Sequence, residues 1–252
     1  MPDATQVNRM FAGIAGRYDL ANRALSLGLD CGWRKRLVGK VVGADPQRVV
    51  DLATGSGDVA LALRRALDAS VEVRGLDFCE PMLEQAREKA ARAGLGDTLQ
   101  FRTGDCLDLP LEDGSVDVLT IAFGLRNLED RQRGLGEMRR VLHPDRGRLL
   151  VLEFTQPDAW FRPLYYMYLK LFMPVVSGLL TGRPGAYRYL ACSIEAFPDK
   201  DSLAGEMLAA GFARVAHCGM AACSVAIHEA CVAPAESSCA TAASRLANNV
   251  GG

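Results

Sequence analysis

From position 48 onward the apolar residues alternate between two rhythms. Nearly continuous apolar runs at 48–53 (RVVDLA), 71–77 (VEVRGLD), 99–105 (LQFRTGD), 116–124 (VDVLTIAFG) and 147–154 (GRLLVLEF) read as buried strands. Between them, 59–67 (VALALRRAL), 81–94 (PMLEQAREKAARAG) and 131–142 (RQRGLGEMRRVL) space their apolar residues as amphipathic helices do. Pro81 near the start of the second helix and Gly94 at its end fit the usual asymmetry of helix termini. A further helix at 200–211 precedes two strand candidates, 213–218 (ARVAHC) and 223–232 (CSVAIHEACV). Strands alternating with helices predict an α/β fold, a doubly wound and mostly parallel sheet whose ligands sit at the carboxyl ends of its strands.

Three segments depart from that rhythm. Residues 1–47 read as a helical N-terminal cover, 158–198 as a helical insertion rich in aromatic residues, and 233–252 as a disordered Ala/Ser-rich tail. Residues 1–232 are expected to form one domain, with 48–157 as its ligand-binding core. Hydrophobic residues make up 49% of 252, enough for one sizeable core. A net charge of −1 argues against a nucleic-acid partner. The eight cysteines are scattered with no C-x-x-C pair, so they read as reduced thiols packed as small hydrophobes, and no metal is expected. The first residues lack a basic region followed by a long apolar one, so no leader is expected and the chain reads as cytoplasmic.

The candidate chemistry begins at DLATGSGDVA. Gly55, Gly57 and Ala60 fit G-x-G-x-x-[G/A] between a strand and a helix, and Asp77 closes the next strand 22 residues after Gly55. An acid at that spacing suits the ribose hydroxyls of an adenine nucleoside. Asp51 and Asp58 bracket the loop where a dinucleotide would put its pyrophosphate, which disfavours that ligand and favours a cationic one, S-adenosylmethionine. Either acid can instead face solvent or cap the helix. Asp105 closes the third strand, where a carboxylate can accept from an adenine amino group or simply stabilise a turn.

Together with FAGIAGRYDLANRALSLG, WRKRLV, GLDFCEPML, GDCLDLP, FGLRNLED, VLEFTQP, YRYLACSIEAFPD and AIHEA, these residues resemble the quinone-biosynthesis C-methyltransferases, in family order from about position 11 to 229. Those enzymes methylate demethylmenaquinol or a methoxy-polyprenyl-benzoquinol. The resemblance implies a class I, Rossmann-like methyltransferase fold of seven strands, the last antiparallel, with S-adenosylmethionine as cofactor. It places donor contacts on Asp51, Gly55, Ser56, Gly57, Asp77, Asp105, Cys106 and Ala122. Ser56 stands where threonine is usual, Cys106 where alanine is usual, and Ala122 where serine is frequent. The sequence has also lost a glycine-rich turn before the last strand (MAACSVAIHEA).

In FGLRN, at 123–127, an apolar strand ends on a permanent cation and an amide. Arg126 either pairs with Glu129 or Asp130 in an ordinary loop, or stabilises the phenolate that forms as a quinol is methylated; the resemblance favours the second, with Asn127 orienting a water. Substrate candidates are Tyr18 and Asp19 in the cover, Tyr187 and Tyr189 in the insertion, and His228 in the last strand. The partner is then a polyprenylated quinol. The insertion is too interrupted by Arg162, Lys170 and prolines to cross a bilayer, but its aromatic face suits a peripheral membrane contact. A homodimer or a quinone-biosynthesis complex is the assembly left open. The rival readings are a nicotinamide-dependent oxidoreductase and a non-catalytic scaffold in quinone synthesis.

Overall fold

The structure, a computed structural model, describes residues 23, 26, 28–172 and 184–234. Tyr18, Asp19 and the tail from 235 onward lie outside the described residues. The elements run α1 (Leu29–Val42), β1 (Arg48–Leu52), α2 (Asp58–Ala66), β2 (Glu72–Asp77), α3 (Glu80–Arg92), β3 (Leu99–Thr103) and β4 (Val118–Ala122). They continue with α4 (Arg131–Val141), β5 (Arg148–Phe154), α5 (Arg162–Met167), α6 (Pro184–Glu195), α7 (Lys200–Ala209), β6 (Arg214–Met220) and β7 (Val225–Cys231). Leu125–Asn127 form one tight helical turn, and Tyr168–Phe172 extend α5 as a wider one.

The sheet has seven strands in the order β3-β2-β1-β4-β5-β7-β6, and β7 runs antiparallel to both neighbours. Period-two side-chain alternation divides its strands between two cores. Val49, Leu150 and Leu152 face Leu37, Val41, Leu63 and Leu83 of α1 to α3. Val50, Leu52, Leu149 and Val151 face Leu135 and Met138 of α4 and Met207 of α7. Because both faces are covered, these strands read as unbroken apolar runs. The chain crosses from one side of the sheet to the other between β1 and β4, and that switch opens a crevice outside their carboxyl ends.

Close packing of that end depends on glycine at two positions. Gly57 precedes α2 with φ of +84°, and a Cβ there would lie 2.9 Å from both the Ala86 Cβ and the Phe101 ring. Gly124 follows β4, and its Cβ would lie 2.6 Å from the Ala53 Cβ, so the loops after β1 and β4 touch only because it has none. Gly57→Ala is therefore expected to destabilise the protein by about 1–3 kcal/mol through overpacking, with a further ~1–2 kcal/mol from the left-handed backbone. A urea midpoint equal to that of the unchanged protein would show that the loop has room to give.

Candidate functional site

A cleft of about 140 Å³ opens at the switch point, lined among others by Gly55, Asp77, Met82, Asp105, Cys106 and Ala122. Asp77, at the end of β2, is buried and accepts from the Gly55 N–H and the Cys79 N–H, both at 2.8 Å. One carboxylate thus ties the glycine loop to the start of α3. Burial raises its pKa against the lowering effect of those N–H bonds. Asp105 is exposed at the rim, where it holds the Leu107 N–H at 2.9 Å. Cys106 is buried beside the two acids, and burial first, then their charge, pushes its thiol up to about 12. It is an inert wall, not a nucleophile.

Asp51, Ser56 and Gly57 do not line this cleft. Asp51 sits behind the glycine loop, 1% exposed, accepting from Thr54 Oγ1 and Thr120 Oγ1 at 2.6 Å. Burial pushes its carboxyl up to about 6 even though both threonines favour the charged form, and Asp77 adds to the rise. Ser56 Oγ accepts from Lys89 Nζ at 2.9 Å, and Gly57 packs on Phe101. Asp58 corrects the expectation that it repels an anion, because Arg34 at 2.6 Å and Lys89 at 2.8 Å neutralise it. The anion-repelling acids of the site are Asp51 and Asp77.

A second cavity, of about 420 Å³, lies between α1, the ends of β4 and β5, and the insertion. Its walls include Trp33, Phe123, Phe154, Tyr165 and Leu169, with Asp30, Arg34 and Arg126 as polar groups. Phe123 lines both this cavity and the first cleft, so the two spaces meet at its ring. That residue holds a left-handed backbone, φ +57°, as does Ala53 at φ +47° across the switch point. Strained non-glycine backbone at two adjacent strand ends marks a place where geometry is being imposed.

Arg126 pairs with neither Glu129 nor Asp130. Its Nη1 meets Glu153 Oε1 at 2.7 Å, in a pair whose side chains are 4% and 1% exposed. The same carboxylate accepts the Arg126 N–H at 3.3 Å and the Phe154 N–H at 2.9 Å, while the Phe123 carbonyl accepts from Arg126 Nη1. Asp130 instead caps α4 by accepting the Arg133 N–H at 2.9 Å. The guanidinium also stacks 5.2 Å from the Phe154 ring centroid. Asn127 lines the first cleft, and its Oδ1 accepts from Tyr189 Oη at 3.2 Å, which joins the insertion to the FGLRN turn.

Among the substrate candidates, His228 is corrected. It is buried in β7 with Nε2 2.8 Å from the Lys200 carbonyl, its ring 5.4 Å from that of His217, and it lines neither space. Burial lowers its pKa to about 4, so the ring is neutral. Tyr187 is placed by its backbone in α6, but its side chain, like Tyr18 and Asp19, lies outside the described residues. Glu153, Trp33 and Tyr165 were missed as site residues. For Glu153 the signal was a lone acid in the apolar run GRLLVLEF; for Trp33 and Tyr165 pattern alone cannot separate a cavity wall from core.

A family profile described as the ubiE/COQ5 methyltransferase family matches residues 2–232. A demethylmenaquinone methyltransferase from Thermus thermophilus is 48% identical over 204 residues, covering 81% of this chain and 91% of the relative. A ubiquinone/menaquinone biosynthesis C-methyltransferase from Geotalea daltonii is 40% identical over 213 residues, covering 84% of this chain and 90% of the relative. In fold, a SAM-dependent methyltransferase of known structure from Thermotoga maritima superposes with a TM-score of 0.63 at 18% identity, over 89% of this chain and 99% of that one. On the extent of the profile match and the identity to these relatives, the chain belongs to the ubiE/COQ5 methyltransferase family.

Proposed function

We propose that this enzyme transfers a methyl group from S-adenosylmethionine to a ring carbon of a polyprenylated quinol, demethylmenaquinol first and a methoxy-polyprenyl-benzoquinol as the alternative acceptor. The observation that carries the reading is the meeting of the two spaces at Phe123, with a buried arginine on the aromatic side. The first cleft fits the donor. Two buried acids, Asp51 and Asp77, suit a cation and oppose the pyrophosphate of a nicotinamide dinucleotide. Gly55 stands with φ +55°, a left-handed backbone that strains any residue with a Cβ. Asp77 would hold the ribose hydroxyls, Asp105 the adenine amino group, and Gly55, Cys106 and Ala122 the surrounding walls. When bound, S-adenosylmethionine supplies a methyl already made electrophilic by positive sulfur.

The protein's remaining tasks are to orient the ring and stabilise the negative charge that builds on its oxygen. Arg126 is charged at every working pH, so it acts as an electrostatic partner and not as a base. Glu153 fixes the guanidinium from one side and Phe154 from its face. The Tyr189 hydroxyl fixes the Asn127 amide at the joint of the two spaces. The proton acceptor is not assigned to His228, which lies elsewhere.

We further assign the insertion to a peripheral membrane contact, with a different set of residues from the buried Tyr165. Trp160 just before α5, Leu164 and Met167 within it and Leu171 in the wider turn that extends it are 76%, 54%, 53% and 66% exposed. No helix among the described residues is long and apolar enough to cross a membrane. These residues flank Tyr165 and Leu169, which wall the cavity, so a lipid-borne quinol would have a short route inward.

Three outcomes test these assignments. Under anaerobic conditions, label from S-adenosylmethionine should appear in a short-chain demethylmenaquinol; no transfer to it or to a methoxy-benzoquinol would refute the function. In the same assay Arg126→Gln/Glu153→Gln, which removes both charges and leaves neither unpaired, should keep donor affinity within about threefold. It should slow turnover roughly 100-fold, with partial rescue as pH rises. Lost donor binding would move Arg126 to the cofactor site.

A second outcome concerns Asp51. A carboxyl raised in the fold to about 6 from 3.8 holds its proton to higher pH than the unfolded chain does. Its stabilising contribution is therefore full below about pH 4 and is lost as pH climbs through 6. Asp51→Asn should make the donor-free protein more stable at pH 7.5, on the order of 2–3 kcal/mol, and bind S-adenosylmethionine more weakly. Equal urea midpoints at pH 7.5 would contradict this.

Third, Trp160→Ser/Met167→Ser/Leu171→Ser should abolish flotation with anionic liposomes and raise KM for long-tailed quinols, leaving short-chain turnover intact. Unchanged flotation would remove these residues from the membrane contact.

A further inference from the structure

Two residues that line the aromatic cavity each carry a buried side-chain atom with no hydrogen-bond partner among the described residues, Arg126 Nε and Tyr165 Oη. Both residues are more than nine-tenths buried, at 8% and 9% exposure. Orphaned buried donors are costly and uncommon, so two that line one cavity require an explanation. Neighbouring tyrosines are satisfied within the protein. Tyr166 Oη donates to Gln156 Oε1, and Tyr189 Oη donates to Asn127. Tyr165 has no such bond, although its ring is packed against Phe161 and Tyr166, with centroids 6.1 and 6.0 Å away. Its neighbours fix the ring and leave the hydroxyl unspent. The rest of the wall is mainly apolar, including Trp33, Phe123, Phe154 and Leu169, and none of its polar groups, Asp30 and Arg34 among them, bonds the hydroxyl.

We propose that Tyr165 is a catalytic residue of the methyl transfer: its hydroxyl, with the Nε–H of Arg126, binds the quinol ring oxygen and donates to it as negative charge develops there. The assignment rests on the aromatic cavity being the quinol site. A flat hydroquinone satisfies both requirements of the cavity, an apolar body for the aromatic walls and an oxygen acceptor for the orphaned donors. The hydroxyl proton of the quinol passes to solvent as the ring carbon takes the methyl, whose former bonding pair stays on sulfur. The oxygen regains a proton when that carbon sheds its own hydrogen as a proton, so the net exchange is one methyl gained for one proton released. Throughout, the oxygen needs donors that do not themselves ionise. Burial raises the Tyr165 phenol well above its ordinary range, more than the nearby Arg126 charge lowers it, so Tyr165 stays a donor. Two unpartnered donors on residues of one cavity wall are the groups from which an oxyanion site is made.

The test uses Tyr165→Phe, which removes only the hydroxyl, and Tyr165→Met, which keeps apolar bulk without a donor. Single-turnover methyl transfer to short-chain demethylmenaquinol is followed anaerobically from pH 6 to 10, with calorimetric affinity for S-adenosylmethionine measured in parallel. Both variants should bind the donor within about twofold of the unchanged enzyme and transfer methyl roughly 100-fold more slowly. Their rate should rise with pH at least one unit later, because the quinol must ionise unaided. Overlapping rates and pH profiles would overturn the assignment, as would loss of donor affinity in step with the rate, which marks a structural role. If the unchanged enzyme methylates no quinol, the function itself fails together with this assignment; normal activity with an indifferent tyrosine removes only Tyr165.

Discussion

The arrangement of both spaces depends on the buried Arg126–Glu153 pair. Burying two ions costs several kcal/mol each, and replacing such a pair by packed apolar residues is often neutral or stabilising. Stability alone therefore gives little reason for this one. What the pair does is geometric. A single carboxylate on β5 takes the side chain of Arg126, its backbone N–H and the N–H of Phe154. That locks the turn after β4 onto the end of β5 and holds Phe123 in its left-handed conformation, with its carbonyl accepting from the same guanidinium. The Phe123 ring then sits 4.8 Å from Phe154 and 6.2 Å from Trp33 by centroid, and the residue lines both the first cleft and the aromatic cavity.

A second polar chain ties the two spaces together from the other side. Lys89 of α3 bonds Ser56 and Asp58 at the glycine loop, Asp58 pairs with Arg34 of α1, and Arg34 pairs at 3.0 Å with Asp30, which accepts from Ser26 at 2.8 Å. Arg34, Asp30 and Ser26 all line the aromatic cavity. The N-terminal helix is thus fastened to the cofactor loop through charge and to the aromatic wall through Trp33. Any shift of the glycine loop moves the ion partners of α1, and with them one wall of the second cavity. This gives a physical reason for a cover helix that reads as unremarkable in the sequence.

The alternation of strands and helices and the glycine turn after the first strand were legible because each rests on local rules. Unbroken apolar runs, a turn whose backbone only glycine relaxes, and an acid at the next strand end are written in adjacent residues. The antiparallel last strand came from the family resemblance, since apolar pattern carries no direction. What was not legible required distance in the chain. Asp58 reads as a loop acid repelling anions until Arg34 and Lys89 arrive from other helices to neutralise it. His228 reads as a strand-borne ligand until α7 covers it and Lys200 takes its ring nitrogen. Arg126 has two acids close by in sequence, yet its partner stands 27 residues away on the adjacent strand. In each case the deciding partner lies far away in the chain and is brought close by the fold.

The hairpin between β6 and β7 shows how such constraints spread. Ala221, Ala222 and Cys223 all take positive φ, 49°, 51° and 60°, a conformation that glycine would adopt freely. Side chains in that region cost roughly 1–2 kcal/mol each, so the turn must be held from outside. The holding contacts are visible: the Ser224 N–H and hydroxyl both bond the Ala221 carbonyl at 3.1 and 2.8 Å, the Thr155 N–H bonds the Ser224 carbonyl at 3.0 Å, and the Asp158 N–H bonds the Ala222 carbonyl at 3.0 Å. Thr155 directly follows β5, one residue beyond the Phe154 that Glu153 fixes, and Ala221 and Ser224 form part of the aromatic cavity wall. The strained turn and the buried ion pair therefore brace the same strand end from opposite sides. The backbone strain thus falls where it keeps that wall of the cavity in place.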